Sequence, residues 1–576
     1  MQASPSASEG SKSHDPCLAA LAAEYWEGRL AADPIEATLL GDHRWSAALP
    51  DPTPAANHAR IAVLEVLANR VRAIDAAALL GNDRVTHAAL VGEIDNDIAG
   101  RRCAIAEWAI DPRDGIHVTV QNLAQLTPIT TVESGRAFVA RWEKLGAHID
   151  ARIANLRASA KAGRIATRGS VVRVLAQLDE LLAEPAAMSA LLAPVRAEHP
   201  DWPGAALAQF RAGVSAALDG GIRPALVRYA QVARDEILPG ARDDAHVGLT
   251  EIPDGAACYA RLIHVHTSLD IDAKEIHRIG LEEIARIRAE MSALGEKLFG
   301  TRDLAAIQAR LRSDPSLYFD TREAVERQAE EALRRAEVAM PRWFGRIAKT
   351  PCEVVRVAAF EEKDTTIAYY RQPAVDGSRP GRYYINTYAP TTRPRYEAEA
   401  LAFHESVPGH HTQIALAMEE GDVPEFRRHL GVTAYVEGWA LYSERLADEM
   451  GLYSGDLDRM GMLSFDAWRA SRLVVDTGLH AMGWTRMQAE TYMLENTALA
   501  ANNIENEVDR YIGWPGQALA YKLGQREIFA LRAEAKAALG ARFDIRAFHD
   551  EILRHGAVSL AVLRGEITRW VREIAR

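Results

Sequence analysis

The stretch Leu401-Ala-Phe-His404-Glu405-Ser-Val-Pro408-Gly409-His410-His411-Thr-Gln413 places three imidazoles and a carboxylate within a few residues of one another. Imidazole nitrogens bind divalent metals, and a carboxylate beside an open metal position can move protons. In the H-E-x-x-H motif of zinc peptidases, two histidines four apart share one helical face about 6 Å apart and hold one Zn²⁺. Here His410 stands six residues after His404, which on an unbroken helix is about 600° of rotation, nearly the opposite side. Pro408 removes a backbone donor and clashes with the carbonyl four residues back, while Gly409 tolerates unusual dihedrals. A local bulge is therefore expected at this point, and it would return His410 to the place of the second ligand. His411 competes, since seven residues return to the same face, but a regular helix sets it roughly 10 Å along the axis. His410 is the favoured ligand.

A third ligand is expected on a second helix, and Ala434-Tyr-Val-Glu437-Gly438-Trp439-Ala-Leu-Tyr442-Ser-Glu444 offers two glutamates. Glu437 sits among apolar residues, where an unpaired carboxylate is costly and a metal removes that cost. Gly438 leaves room for a close approach by another element. Glu444, beside Arg445, has a ready ion-pair partner. It and Asp476 are candidates to hold a ligand histidine from behind. The expected set is thus His404, His410 and Glu437 around Zn²⁺, with Glu405 as the base. The bland alternatives are a histidine-rich helix end and a glutamate drawn to a helix start by the macrodipole.

These blocks resemble the bacterial family catalogued as domain of unknown function 885. Its pattern H-E-x-x-P-G-H-H-x-Q is matched by His404 to Gln413, and E-G-W-A-L-Y by Glu437 to Tyr442. Arg469-Ala-Ser-Arg472-Leu-Val-Val-Asp476-Thr-Gly478-Leu-His480 and Arg510-Tyr511-Ile-Gly-Trp-Pro515-Gly516-Gln517-Ala-Leu-Ala-Tyr521-Lys522 match further blocks, as do Phe543-Asp544 and Phe548-His549-Asp550. The metal motif is similar to those of helical zinc peptidases such as thermostable carboxypeptidase, angiotensin-converting enzyme and, in its insertion before Gly-His, dipeptidyl peptidase three. The resemblance implies a metallopeptidase-like centre acting on peptides or small amides, with carboxypeptidase or dipeptidase-like action among the options. A hydrolase of non-peptide amides or esters and a silent binding protein of the same fold are the alternatives.

Such a centre needs an oxyanion donor beyond the metal. Tyr521 is the first choice, with Tyr511 and His549 behind it. Tyr383-Tyr384-Ile385-Asn386 precedes the metal helix and is expected to pair with an extended substrate, Asn386 holding an amide. Arg472, Arg510 and Lys522 are candidates for a substrate carboxylate. Each of these residues also has a plain structural role available to it.

The elements that must position these groups are mostly helices. Ile276, Ile279, Ile284, Ile287 and Met291 form one buried stripe, and Asp320 with Glu323 resembles an N-cap and its N3 carboxylate. Runs around Val354–Val357, Thr365–Tyr370 and Tyr383–Asn386, the last two separated by turn formers at Asp376–Gly381, predict a small antiparallel sheet over 353–388. The expected organisation is a flexible leader (1–15), a helical half (16–345) and a catalytic half (346–576), forming one unit with a cleft between the halves. The fold class is mainly α.

A net charge of −12 without a basic, aromatic-laced patch argues against nucleic acid. No apolar run is long enough to span a bilayer, and no export signal opens the chain, so a cytoplasmic place is expected, with an exported mature form as the alternative. The cysteines Cys17, Cys103, Cys258 and Cys352 are scattered, which leaves room for one bridge.

Overall fold

The computed structural model describes residues 15–183, 190–358, 362, 366–374, 379–421 and 423–576. The leader up to residue 14, Thr365 and part of the turn-forming segment at 376–381 lie outside them. What is described is mainly α-helical, with one three-stranded sheet.

In the first half, α1 (Gly81–Cys103) and α2 (Gly255–Thr267) lie against each other and are joined by a buried disulfide between Cys103 and Cys258. The bridge closes a loop of 155 residues, so its reduction is expected to lower stability by about 2–5 kcal/mol. A melting curve with and without reductant reads this directly, and coincident curves would deny the bridge a stabilising role.

Next, α3 (Ala273–Phe299) starts at Asp272, whose side chain accepts from the amides of Lys274 and Glu275, and buries the predicted stripe of isoleucines and Met291. The cap of α4 (Arg322–Ala339) is Thr321, which accepts from the Ala324 amide, and not Asp320. A threonine hydroxyl at that position reaches the N3 amide as well as a carboxylate does.

The sheet differs from the sequence expectation. β1 (Cys352–Arg356) and β2 (Ala368–Arg371) flank β3 (Gly381–Ile385), with β2 antiparallel to it and β1 parallel, Cys352 opposite Gly381. The sheet is mixed because the chain between β1 and β3 is long enough to carry a crossover, which a parallel pair requires. It also makes β3 the central strand.

After the sheet come α5 (Ala398–Glu405), α6 (His410–Met418), α7 (Thr433–Glu449), α8 (Asp456–Ala481), α9 (Ala501–Gly513) and α10 (Ala520–Leu539). α8 packs along α3, and α7 along α10. The last contact is very close: a Cβ on Gly438 would lie 2.5 Å from the Gly524 Cα. Two glycines thus let the helix bearing Glu437 lie directly on α10. One large core draws on residues from Leu18 to Ile567, so the first and last helices share it with α5 and α7.

Candidate metal centre

The helix is not merely bulged between His404 and His410; it stops. α5 ends at Glu405, Ser406 and Gly409 take non-helical dihedrals, and α6 begins at His410 itself. A Cβ on Gly409 would fall 2.0 Å from the His404 carbonyl oxygen and 2.4 Å from that of Phe403, so only glycine fits the turn. From α7, the Trp439 indole donates to the Pro408 carbonyl at 2.9 Å and the Ser443 hydroxyl donates to it at 3.3 Å. One helix therefore supplies the third ligand candidate and clamps the turn that aims the second. Gly409→Ala is expected to displace His410 and weaken zinc binding on the order of tenfold or more, a loss of the size seen when ligand support is removed. Chelator competition would measure it, and unchanged affinity would show that the turn does not set the ligand position.

His404, His410 and Glu437 converge, their nearest ligand atoms all within 4.8 Å of one another. Nε2 of each histidine lies 3.5 Å from the same Glu437 Oε2. The rings stand nearly perpendicular, 88° between planes and 4.8 Å between centroids. The His404 ring donates from Nδ1 to Glu444 Oε1 at 2.8 Å, since a carboxylate only accepts, and this turns Nε2 toward Glu437, where a metal would take the place of its proton. Burial opposes a charge on His404, but Glu437 and Glu444 outweigh it and push its pKa up to about 10. Burial likewise opposes ionisation of Glu437, yet His404 and His410 hold its carboxyl well below the usual range.

This donor set fits zinc. Four-coordinate Zn²⁺ with ligands at about 2.0–2.1 Å needs donor atoms roughly 3.3 Å apart; the two histidine-to-carboxylate spacings are 3.5 Å, and all three donors lie within 4.8 Å. Buried Glu437 Oε2 and His410 Nδ1 have no hydrogen-bond partner among the described residues, an unfavourable state that a bound cation relieves for the carboxylate oxygen.

His411 is turned to another task. Its Nδ1 pairs with the Tyr370 hydroxyl at 2.9 Å and its Nε2 with the Thr350 carbonyl at 3.0 Å, so both nitrogens are occupied and the ring ties α6 to the sheet. Glu405 is half-buried beside His404, and its charge acts on both His404 and the Tyr383 phenol of β3. Glu444 takes the supporting role foreseen for it. Asp476 does not: it accepts from the Tyr259 hydroxyl and the Gly516 amide.

The remaining residues fall into separate groups. β3 has both main-chain edges paired, so it offers no free edge to an extended substrate. Tyr384 stacks on Tyr369 at 4.8 Å, and the Asn386 side chain is engaged with Glu362, Thr366 and Tyr388 backbone groups, which holds the strand exit in place. Lys522 is fully buried against Asp466 and Gln525 and is not available to a substrate carboxylate. His549 pairs with the Tyr442 hydroxyl and the Trp343 carbonyl, as a core histidine does. Tyr511, also buried, donates to Glu507 and receives Arg472 and Trp468. Tyr521 accepts from Arg510 at 3.0 Å. Sequence reasoning missed Arg469, whose Nη2 lies 3.8 Å from Glu444 Oε1 behind the first ligand; its place ahead of Arg472 in the Arg469–His480 block was the available signal.

No match was found among curated proteins. A crystal structure described as "the putative lipoprotein from Colwellia psychrerythraea" superposes with a TM-score of 0.88 at 28% identity, covering 96% of this chain and 99% of that one. Another, "a putative lipoprotein of unknown function from Shewanella oneidensis", gives a TM-score of 0.74 at 19% identity over 96% of this chain and 100% of that one, a likeness of fold. The family described as "Bacterial protein of unknown function (DUF885)" matches residues 34–567, a span that contains the whole His/His/Glu centre, and the chain belongs to it.

Proposed function

We propose that this chain is a zinc-dependent hydrolase of peptide bonds in short peptides, with His404, His410 and Glu437 holding the metal. The reading rests above all on the two Nε2 atoms that meet one Glu437 oxygen at zinc-like spacing, across a helix interrupted to allow it. Bound there, zinc would supply a Lewis acid that polarises a substrate carbonyl and lowers the pKa of a water near it. Glu405 takes the proton of the attacking water on its carboxylate and later returns it to the leaving nitrogen. Glu444 fixes the His404 ring. Tyr521, held by Arg510, keeps its own hydroxyl hydrogen for the developing oxyanion.

The compartment that fits is an oxidising one outside the cytoplasm, in place of the cytoplasmic one expected from the sequence. The buried Cys103–Cys258 bridge and the description of the 28% identical Colwellia psychrerythraea structure as a "putative lipoprotein" support it. No helix among the described residues is long and apolar enough to cross a membrane.

The test is metal analysis of purified protein joined to a cleavage profile. About one zinc per chain, with hydrolysis of peptides over matched esters and lactams, is expected. Preference for the esters or lactams would move the reading to a non-peptide hydrolase, and zinc without any turnover to a binding protein.

A further inference from the structure

Behind the first ligand lies a buried cation that the proposed chemistry does not use. Arg469, on α8, is 4% exposed, and its guanidinium lies over the Phe465 and Trp468 rings of the same helix, 4.4 and 4.2 Å from their centres. These two rings hold the group in place. Its Nη2 stands 3.8 Å from Glu444 Oε1, the same oxygen that accepts from His404 Nδ1. Among the described residues no other carboxylate comes within 4.0 Å of Arg469, and apart from His404 no other cationic side chain comes that close to Glu444. Nε and Nη1 of Arg469 and Oε2 of Glu444 have no hydrogen-bond partner there. Stability does not explain such a side chain, since apolar groups of similar volume in place of buried ions are often neutral or stabilising. What an apolar group could not supply is the charge.

The packing shows what that charge acts on. α8 lies directly on the entry to α5, where a Cβ on Gly461 would fall 1.6 Å from the Tyr396 carbonyl oxygen. Further along α8, the Ser464 hydroxyl donates to Glu397 Oε1 at 3.1 Å, and Glu397 stands just ahead of α5. Burial pushes the Glu397 carboxyl up to about 7, while the Ser464 bond and the charge of Arg469 act against that. Arg469 thus meets a carboxyl at each end of α5: Glu397 at its start, and Glu444, against His404, at its finish.

We propose that Arg469 is a positioning residue for the metal centre: fixed over Phe465 and Trp468, it anchors the Glu444 carboxylate and, through it, the His404 ring, so that Nε2 stays turned to Glu437. This rests on the zinc-hydrolase reading. Glutamate is a flexible side chain, and its oxygen must meet Nδ1 from a neighbouring helix. A cation held behind that oxygen limits where it can go. With a metal in place of the Nε2 proton, Arg469 is the one side-chain cation among the described residues left within 4.0 Å of Glu444.

Zinc affinity would be measured by chelator competition in the wild type, Arg469→Met, Arg469→Lys, Glu444→Ala and the double variant of Arg469→Met with Glu444→Ala, each checked for a cooperative melting transition. Arg469→Met keeps apolar bulk against the two rings and removes the charge. It is expected to weaken zinc binding about 10–100-fold, as loss of support behind a ligand does. Arg469→Lys, which keeps the charge, should recover most of that loss. In the Glu444→Ala background Arg469→Met should change affinity by less than about threefold, because the group it acts through is gone. Losses that multiply in the double variant are those of an arginine with a separate structural role, and they overturn the proposal; so does full affinity in Arg469→Met. Should Arg469→Met not fold, Arg469→Gln takes its place with the same expectations. If the wild type binds no zinc, it is the hydrolase reading that fails, and the metal-free protein then decides the positioning alone. The downfield proton resonance of His404 Nδ1, identified by its loss in His404→Gln, should persist in Arg469→Lys and move upfield in Arg469→Met. An identical resonance in wild type and both variants removes Arg469 from the placing of His404.

Discussion

Glu437→Ala is expected to weaken zinc binding by at least about a hundredfold and to abolish activity at ordinary metal concentrations, because on the proposed reading it removes one of three protein ligands. Glu444→Ala should cost only about 10–100-fold, the range for a partner that orients a ligand without touching the metal. The comparison is sharp because both residues lie on α7, seven apart and hence on one face but roughly 10 Å apart along the axis. Their surroundings separate the roles. Glu437 presents an oxygen 3.5 Å from both Nε2 atoms, whereas Glu444 is spent on His404 Nδ1 at 2.8 Å with Arg469 behind it. Zinc stoichiometry and chelator competition on the two variants decide the matter: metal retained without Glu437 and lost without Glu444 would reverse the assignment.

The centre was legible in the sequence because its parts are local. Pro408 and Gly409 announce a break, and Glu437 between apolar neighbours announces a charge in need of a partner. What local reading could not supply was the size of the break. A bulge inside one helix and two helices joined by a turn satisfy the same two residues. The second is selected by Trp439 and Ser443, which grip the Pro408 carbonyl from a helix some thirty residues downstream. His411 was ambiguous for the same reason, since its partners Tyr370 and Thr350 come from the sheet region.

The substrate-side residues were the least legible. Asn386, Lys522 and Tyr511 are polar groups, and a sequence shows their donors without showing that Glu362, Asp466 and Glu507 already engage them. A buried polar group must be paired, so within a large helical core most such residues are bound to the protein itself. The sheet followed a related pattern. Its strand segments were plain from β-branched and aromatic runs, but strand order is a tertiary property, and β3 became central because it returns to pair with β1 as well as with β2.

Glu405→Gln is expected to leave zinc content near one per chain while lowering turnover by at least about a hundredfold. The substitution keeps the size and hydrogen-bonding reach of the side chain but removes its ability to take a proton, the step assigned to it. Zinc should stay because Glu405 is not among the three converging donors, and because the neighbouring His404 remains held by Glu444. Glu405 is half-buried, whereas His404, at the same helix end, is buried. Zinc analysis and kcat on the same preparation separate the possible failures. Loss of zinc would make Glu405 part of metal retention, and full turnover with zinc in place would require a different base.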